Sequence, residues 1–204
     1  YHDNYNTENT NYDWALQLAG YVIDGYSGGV NSNRGLLGFD LTSIPSGTQI
    51  MSAKLYLYAY YGYTTSPLSS GHYGNNSCYL KKVVQEWVES AVTCNTQPNT
   101  TDIYQVILPS STDPHQDYLD IDVTTLVQFF IDNPNQNYGF KLGLVDEVLG
   151  NNLSFHSSDS QDLNKRPKLV VTYRDEADIE NIKMDNRPSF QLFPNPVKQE
   201  LTID

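Results

Sequence analysis

Residues 34–61 read RGLLGFDLTSIPSGTQIMSAKLYLYAYY. Leu37, Phe39 and Leu41 recur at every second position. Ile50, Ala53, Leu55, Leu57 and Ala59 supply a second apolar face, with Lys54, Tyr56, Tyr58 and Tyr60 opposite it. A period of two marks strands with one face in a core. Pro45, Ser46 and Gly47 between the two runs supply turn chemistry. The stretch predicts two long strands joined by a short turn.

Outward from it, the chain offers more short strands than anything else. Trp14–Leu18 can form one with Leu16 and Leu18 inward, and residues 20–33 read as a Gly/Asn/Ser loop carrying Tyr21 and Tyr26. Beyond the Tyr row, residues 62–76 are a long loop. Strands are expected over Tyr79–Val84, Ile103–Leu108, Tyr118–Asp122, Tyr138–Val145, Asn152–His156 and Pro167–Tyr173. One helix interrupts them. Asp122 suits an N-cap, and Val123, Leu126, Val127 and Phe130 fall at i, i+3, i+4 and i+7. Asn133-Pro134 stops it. The pattern predicts an all-β protein, a β-sandwich of jelly-roll type with one short α-helix.

The 204 residues have room for one sandwich and a tail, and 39% hydrophobic content is enough for a core. A formal charge of −12 and a pI near 4.5 argue against nucleic acid and anionic membranes, which need a basic footprint. They also weigh against a strongly anionic polysaccharide, unless a local basic patch or a bound cation reverses the sign. No apolar run approaches the ~18 residues of a membrane-spanning helix, so no membrane insertion is expected. The chain opens on Tyr1 rather than Met, which reads as a piece of a longer precursor. After Tyr173 the composition shifts. Residues 174–188, RDEADIENIKMDNRP, are charged and read as a linker, and a new strand-like unit begins at Ser189.

Several pieces, in this order and spacing, resemble the DNRLRE-type domain grouped as carbohydrate-binding module family 96. They are RGLLGFDL, SIPSGTQIMSAKLYLY, VVQEWVESAVTCNTQP, IDVTTLVQFF, NYGFKL and FHSSDSQDLNKRPKLVVTY. The resemblance covers residues 10–173 and sets the expected domain at 1–173. It implies a non-catalytic module that tethers a larger enzyme or surface protein to an algal or plant cell-wall polysaccharide. Trp87 matches a core position of that family. The family is associated with alginate, bound through basic residues near the N-terminal loops. No Lys or Arg precedes Arg34 here, which leaves Arg34 as the matching cation.

A second resemblance lies at the end. FQLFPNPVKQELTID, within residues 189–204, is similar to the opening of the C-terminal sorting domain read by the type IX secretion system of Bacteroidota. It implies the type IX machinery as a partner and a secreted or cell-surface protein. On that resemblance, the stretch to Asp204 is expected to be only the start of such a domain. Export favours a disulfide between Cys78 and Cys94 over two free thiols. Cys94 stands where such domains more often carry Trp. Two cysteines with no neighbouring His cannot complete a zinc site.

Candidate carbohydrate-binding residues follow from side-chain chemistry. Tyr56, Tyr58 and Tyr60 lie on one strand face about 7 Å apart. Their rings offer flat apolar faces for a sugar and a hydroxyl for its oxygens. The alternative is that they make ordinary cross-strand pairs. Trp14 and Tyr21, with Tyr12 and Tyr26, flank Arg34. The alternative for Arg34 is a structural pair with Asp24 or Asp40. Asp113, Asp117, Asp120 and Asp122, with Asp146, Glu147 and Asp159, offer hard oxygens to calcium, but six to eight must converge. Calcium is therefore the one cofactor left open. His2, His72, His115 and His156 invite a lyase reading with a Tyr/His pair, for which Lys165 and Arg166 near His156 are the only cations at hand. No serine sits in a nucleophile elbow. The rival to glycan binding is a structural or adhesive surface module, a rigid spacer or fibre unit.

Overall fold

A computed structural model of the chain describes residues 17–23, 30–61, 71–93, 95–174 and 189–194, with the backbone alone for 17–23, 30–31 and 189–194. The described residues form eleven strands and one α-helix. They are β1 (Gln17–Ile23), β2 (Val30–Asn33), β3 (Gly35–Leu37), β4 (Ile50–Leu57), β5 (Cys78–Val83), β6 (Thr100–Leu108), β7 (Tyr118–Asp122), α1 (Thr124–Asp132), β8 (Phe140–Leu144), β9 (Asn152–Phe155), β10 (Lys168–Tyr173) and β11 (Ser189–Pro194).

The strands make an antiparallel sandwich. One sheet runs β3-β8-β5-β6 and the other β11-β10-β4-β7. A third ladder, β2-β1-β9, prolongs the second sheet, because an Ala59–Phe155 bridge ties β9 to the chain just past β4. Between the layers lies one core. Leu37, Leu80, Phe140 and Leu142 come from the first sheet and Ala53, Leu55, Leu57, Leu169 and Val171 from the second, all essentially inaccessible to solvent. Full burial of each Leu or Phe contributes roughly 1.5–3 kcal/mol.

The decisive stretch keeps its alternation and loses its hairpin. Leu37, Phe39 and Leu41 do point inward, but only residues 35–37 are strand, paired with β8. Residues 38–49 then cross to the other sheet, where β4 pairs with β10 and β7. Gly47 turns the crossover at φ 81°, a conformation that favours glycine. Alternation fixes which face a residue takes; it does not fix which sheet. Residues 20–33 likewise hold the end of β1 and all of β2 rather than a continuous loop.

Helix α1 buries Leu126, Val127, Phe130 and Ile131 and packs against β4. Its N-cap position falls on Val123, one residue beyond the expected Asp122. Asp122 still performs capping chemistry: its Oδ1 accepts the Thr124 amide at 3.0 Å. No helix among the described residues is long and apolar enough to cross a membrane.

Cys78 alternates inward on β5 and is a free cysteine, fully buried. The expected bridge to Cys94 is not made at this end, and Cys94 lies outside the described residues. The thiol packs among core hydrophobes, where a small apolar side chain is what the site takes.

Candidate functional site

The expected tyrosine row is brought together, but its rings already have neighbours. Tyr56, Tyr58 and Tyr60 are all half-buried. The Lys168 ammonium sits 4.4 Å from the Tyr56 ring centroid and Lys165 5.0 Å from that of Tyr58. Tyr60 meets His156 edge-on at 5.1 Å. Tyr56 donates its hydroxyl to Asp120 at 2.5 Å, and that bond, with burial, pushes its pKa up to about 12. Asp120 reaches the ring because β7 carries an extra residue opposite Tyr56 and Asp120 adopts φ 56°. Tyr56 is thus engaged by neighbours on the two flanking strands, while Tyr58 and Tyr60, past the end of β4, meet Lys165 and His156 from outside the strands.

Arg34 lies at the corner where the chain passes from β2 in one layer to β3 in the other. Its Nη2 donates to Glu147 at 2.5 Å, with the guanidinium mostly buried. The expected partner Asp40 instead accepts the Thr42 amide. Asp24, Trp14, Tyr12 and Tyr26 lie outside the described residues, as does the side chain of Tyr21, whose backbone belongs to β1.

Around Arg34 the outer face of the first sheet gathers chemistry that the sequence reading missed. On β5, Tyr79 and Lys81 point away from the core, opposite Cys78 and Leu80. Tyr79 pairs with Gly143 of β8, and Lys81 with Lys141. The Tyr79 ring lies over Gly143, where an added Cβ would clash with its hydroxyl and ring. A hydrogen bond joins that hydroxyl to Arg34. Burial raises the Tyr79 pKa, while the nearby Arg34 charge lowers it. The Lys81 ammonium sits 4.4 Å from the ring centroid and 2.7 Å from Asp102. Lys141 donates to Gln97 at 2.7 Å. Arg34 and Lys81 thus flank one aromatic ring, and the buried Lys141 pairs with Lys81 across the sheet, on an otherwise acidic protein. The signal was legible in part: the alternation in CYLKKV already places Tyr79 and Lys81 on one face. Lys141 and Gly143 reach them only through pairing across the sheet.

Several of the remaining candidates have structural partners. Asp117 accepts the Ala59 amide and pairs with Lys165. Asp122 pairs with Lys54, and Asp113 accepts the His115 amide. Among the described residues no cluster of three or more His, Cys, Asp or Glu could hold a metal. His72 is buried with both ring nitrogens engaged: Nε2 donates to Gln116 O at 2.8 Å, and Nδ1 accepts the Ser154 amide at 3.1 Å. His115 packs on Tyr61. His156 bonds Ser160, beside which Arg166 donates to the Ser160 carbonyl. His2 is outside the described residues. Trp87 is half-buried rather than core. It donates Nε1 to Tyr138 O at 2.7 Å and lies against Gly38.

What the outer face of β3-β8-β5-β6 can do is bind. A guanidinium fork, two ammonium groups and a phenol offer donors to an oxygen-rich ligand, and the ring adds apolar contact. A model of carbohydrate-binding module family 96 matches residues 1–173. No curated protein matches the chain.

Proposed function

The chain belongs to carbohydrate-binding module family 96, and from that membership we propose that it holds a larger secreted protein on an algal or plant cell-wall polysaccharide without breaking a bond. The family match carries the reading. The binding surface in this proposal is the outer face around Arg34, Tyr79, Lys81 and Lys141. These cations supply the local basic patch that an acidic glycan needs on a chain of charge −12. Each now has an in-chain acceptor. A ligand carboxylate or hydroxyl would take the place of Glu147, Asp102 or Gln97, which keeps the exchange of hydrogen bonds near balance and places selectivity in geometry. Export through the type IX machinery to the cell surface or medium belongs to the same proposal. Its support is the FQLFPNPVKQELTID segment.

The test is calorimetric titration of alginate, ulvan, porphyran, agarose, cellulose, xylan and chitin, each with calcium and with EDTA. Saturable binding of an acidic glycan is expected. Lys81→Ala and Lys141→Ala should each weaken it a few-fold, because the ligand bond that is lost is partly offset by the in-chain bond it replaces. Tyr56→Ala and Tyr58→Ala should leave it nearly unchanged. The reverse pattern would move the site to β4. No binding of any glycan by the folded protein would leave the spacer or adhesive role.

A further inference from the structure

An antiparallel sandwich must deal with the edges of its sheets, where unpaired amides and carbonyls invite another strand. Here the edges are treated unequally. Edge strand β6 is interrupted by a bulge. Its register to β5 slips between Leu80 and Lys82, and Tyr104 adopts φ 66°. Edge strand β7 slips opposite Tyr56, with Asp120 at φ 56°. Edge strand β3 is only three residues long. Bulges and shortness are devices that discourage edge pairing.

The outer side of β10 has no such device. It pairs with β11 through six consecutive residues in unbroken register, from Lys168–Pro194 to Tyr173–Ser189. The register shift in β10 lies on its other side, toward β4. Strands that are direct neighbours in an antiparallel sheet need only a two-residue turn between them. Residues 174–188 stand between β10 and β11 instead, and the match to the family ends at residue 173, before β11 begins.

We propose that the outer edge of β10 is a strand-acceptor site, and that residues 189–194 are its detachable in-chain occupant rather than a strand on which the sandwich depends. Recognition is by main-chain pairing along an edge of unbroken register. A connection of this length sets a high local concentration for the occupant. The chemistry that fits the site is an extended peptide with alternating apolar residues, as in SFQLFP.

The experiment is amide hydrogen exchange on the full chain and on the variant carrying Gln191→Pro with Leu192→Pro. Alternate amides of an edge strand face solvent, so one of two adjacent prolines must remove a pairing donor. The variant should lose protection at the β10 amides that face β11, while β4 amides stay protected. A synthetic peptide of residues 187–196, added in excess, should restore the lost protection. Unchanged β10 protection in the variant overturns the acceptor site. Collapse of β4 protection together with β10 overturns detachability, because β11 would then be integral to the sandwich. Failure of the peptide to restore protection overturns recognition of the strand in trans.

Discussion

Gly143 is the smallest residue on the proposed binding face and the one on which its geometry depends. The Tyr79 ring occupies the space a Cβ would take. Gly143→Ala should leave the fold intact at a cost of about 1–3 kcal/mol, because the atoms that must give way are the end of one side chain. It should also lift Tyr79 away from Arg34 and weaken glycan binding several-fold. Thermal melts beside a binding titration would show the split, and equal binding by the variant would remove Tyr79 from the site. His72 makes a different kind of prediction. It is buried against Tyr118 and Phe155, and burial lowers its pKa, opposed by its bond to Gln116 and by Asp117 and Asp113, and reinforced by His115. The unfolded chain therefore takes up a proton near pH 6.5 that the folded chain resists. The stability this site contributes is present above that pH and is lost as pH falls toward the folded pKa. Urea unfolding followed from pH 8 to pH 5 should show the decline, and His72→Gln should flatten it. An identical slope in the variant would mean other groups carry the effect. His156, whose pKa burial also lowers, is the first of those to examine.

At the scale of elements, Asp122 joins strand to helix. It closes β7, pairs with Lys54 of β4 and accepts the first amide of α1. The Lys54 hydrogen bond, then the Thr124 amide, hold its pKa down at about 2. Its contribution is present above pH 3.8 and is lost as pH drops through about 2. Asp122→Asn keeps the shape and removes the charge, so its melting temperature should fall short of wild type at pH 7 and converge with it near pH 2. The carboxylate is largely exposed, so the difference is small, a degree or a few. This element also shows what the sequence could and could not disclose. The helical spacing and its stop at Asn133-Pro134 are local properties and were legible. So was the inward set Leu37, Phe39 and Leu41. The crossover between β3 and β4 was not, because which sheet a strand joins depends on β8 and β10, which lie far downstream in the chain. The proposed site divides in the same way. Arg34 was legible through a resemblance and the Tyr79–Lys81 pair through alternation. Gly143 and Lys141 enter only once β8 lies beside β5.

Over the whole molecule, a charge of −12 surrounds a face that gathers Arg34, Lys81 and Lys141. The two act over different distances. At 0.01 M salt, where screening extends about 30 Å, the entire acidic chain repels a polyanion. Near 0.15 M screening falls to about 8 Å and the ligand feels mainly the local cations. At 1 M, with about 3 Å, even those fade. Affinity for an acidic glycan should therefore pass through a maximum at intermediate salt, read from calorimetry across that range. A monotonic fall would show that the acidic remainder plays no part, and indifference to salt would speak for a neutral ligand. The interior supplies a consequence of another kind. With Cys78 sealed in the core as a free thiol, its encounter with a small thiol-reactive dye has to wait for the sandwich to part. In a Cys94→Ser background the labelling half-time becomes an internal clock for how often the two layers separate. The same clock, run with a bound glycan, would report how far occupancy slows that breathing, with no added probe.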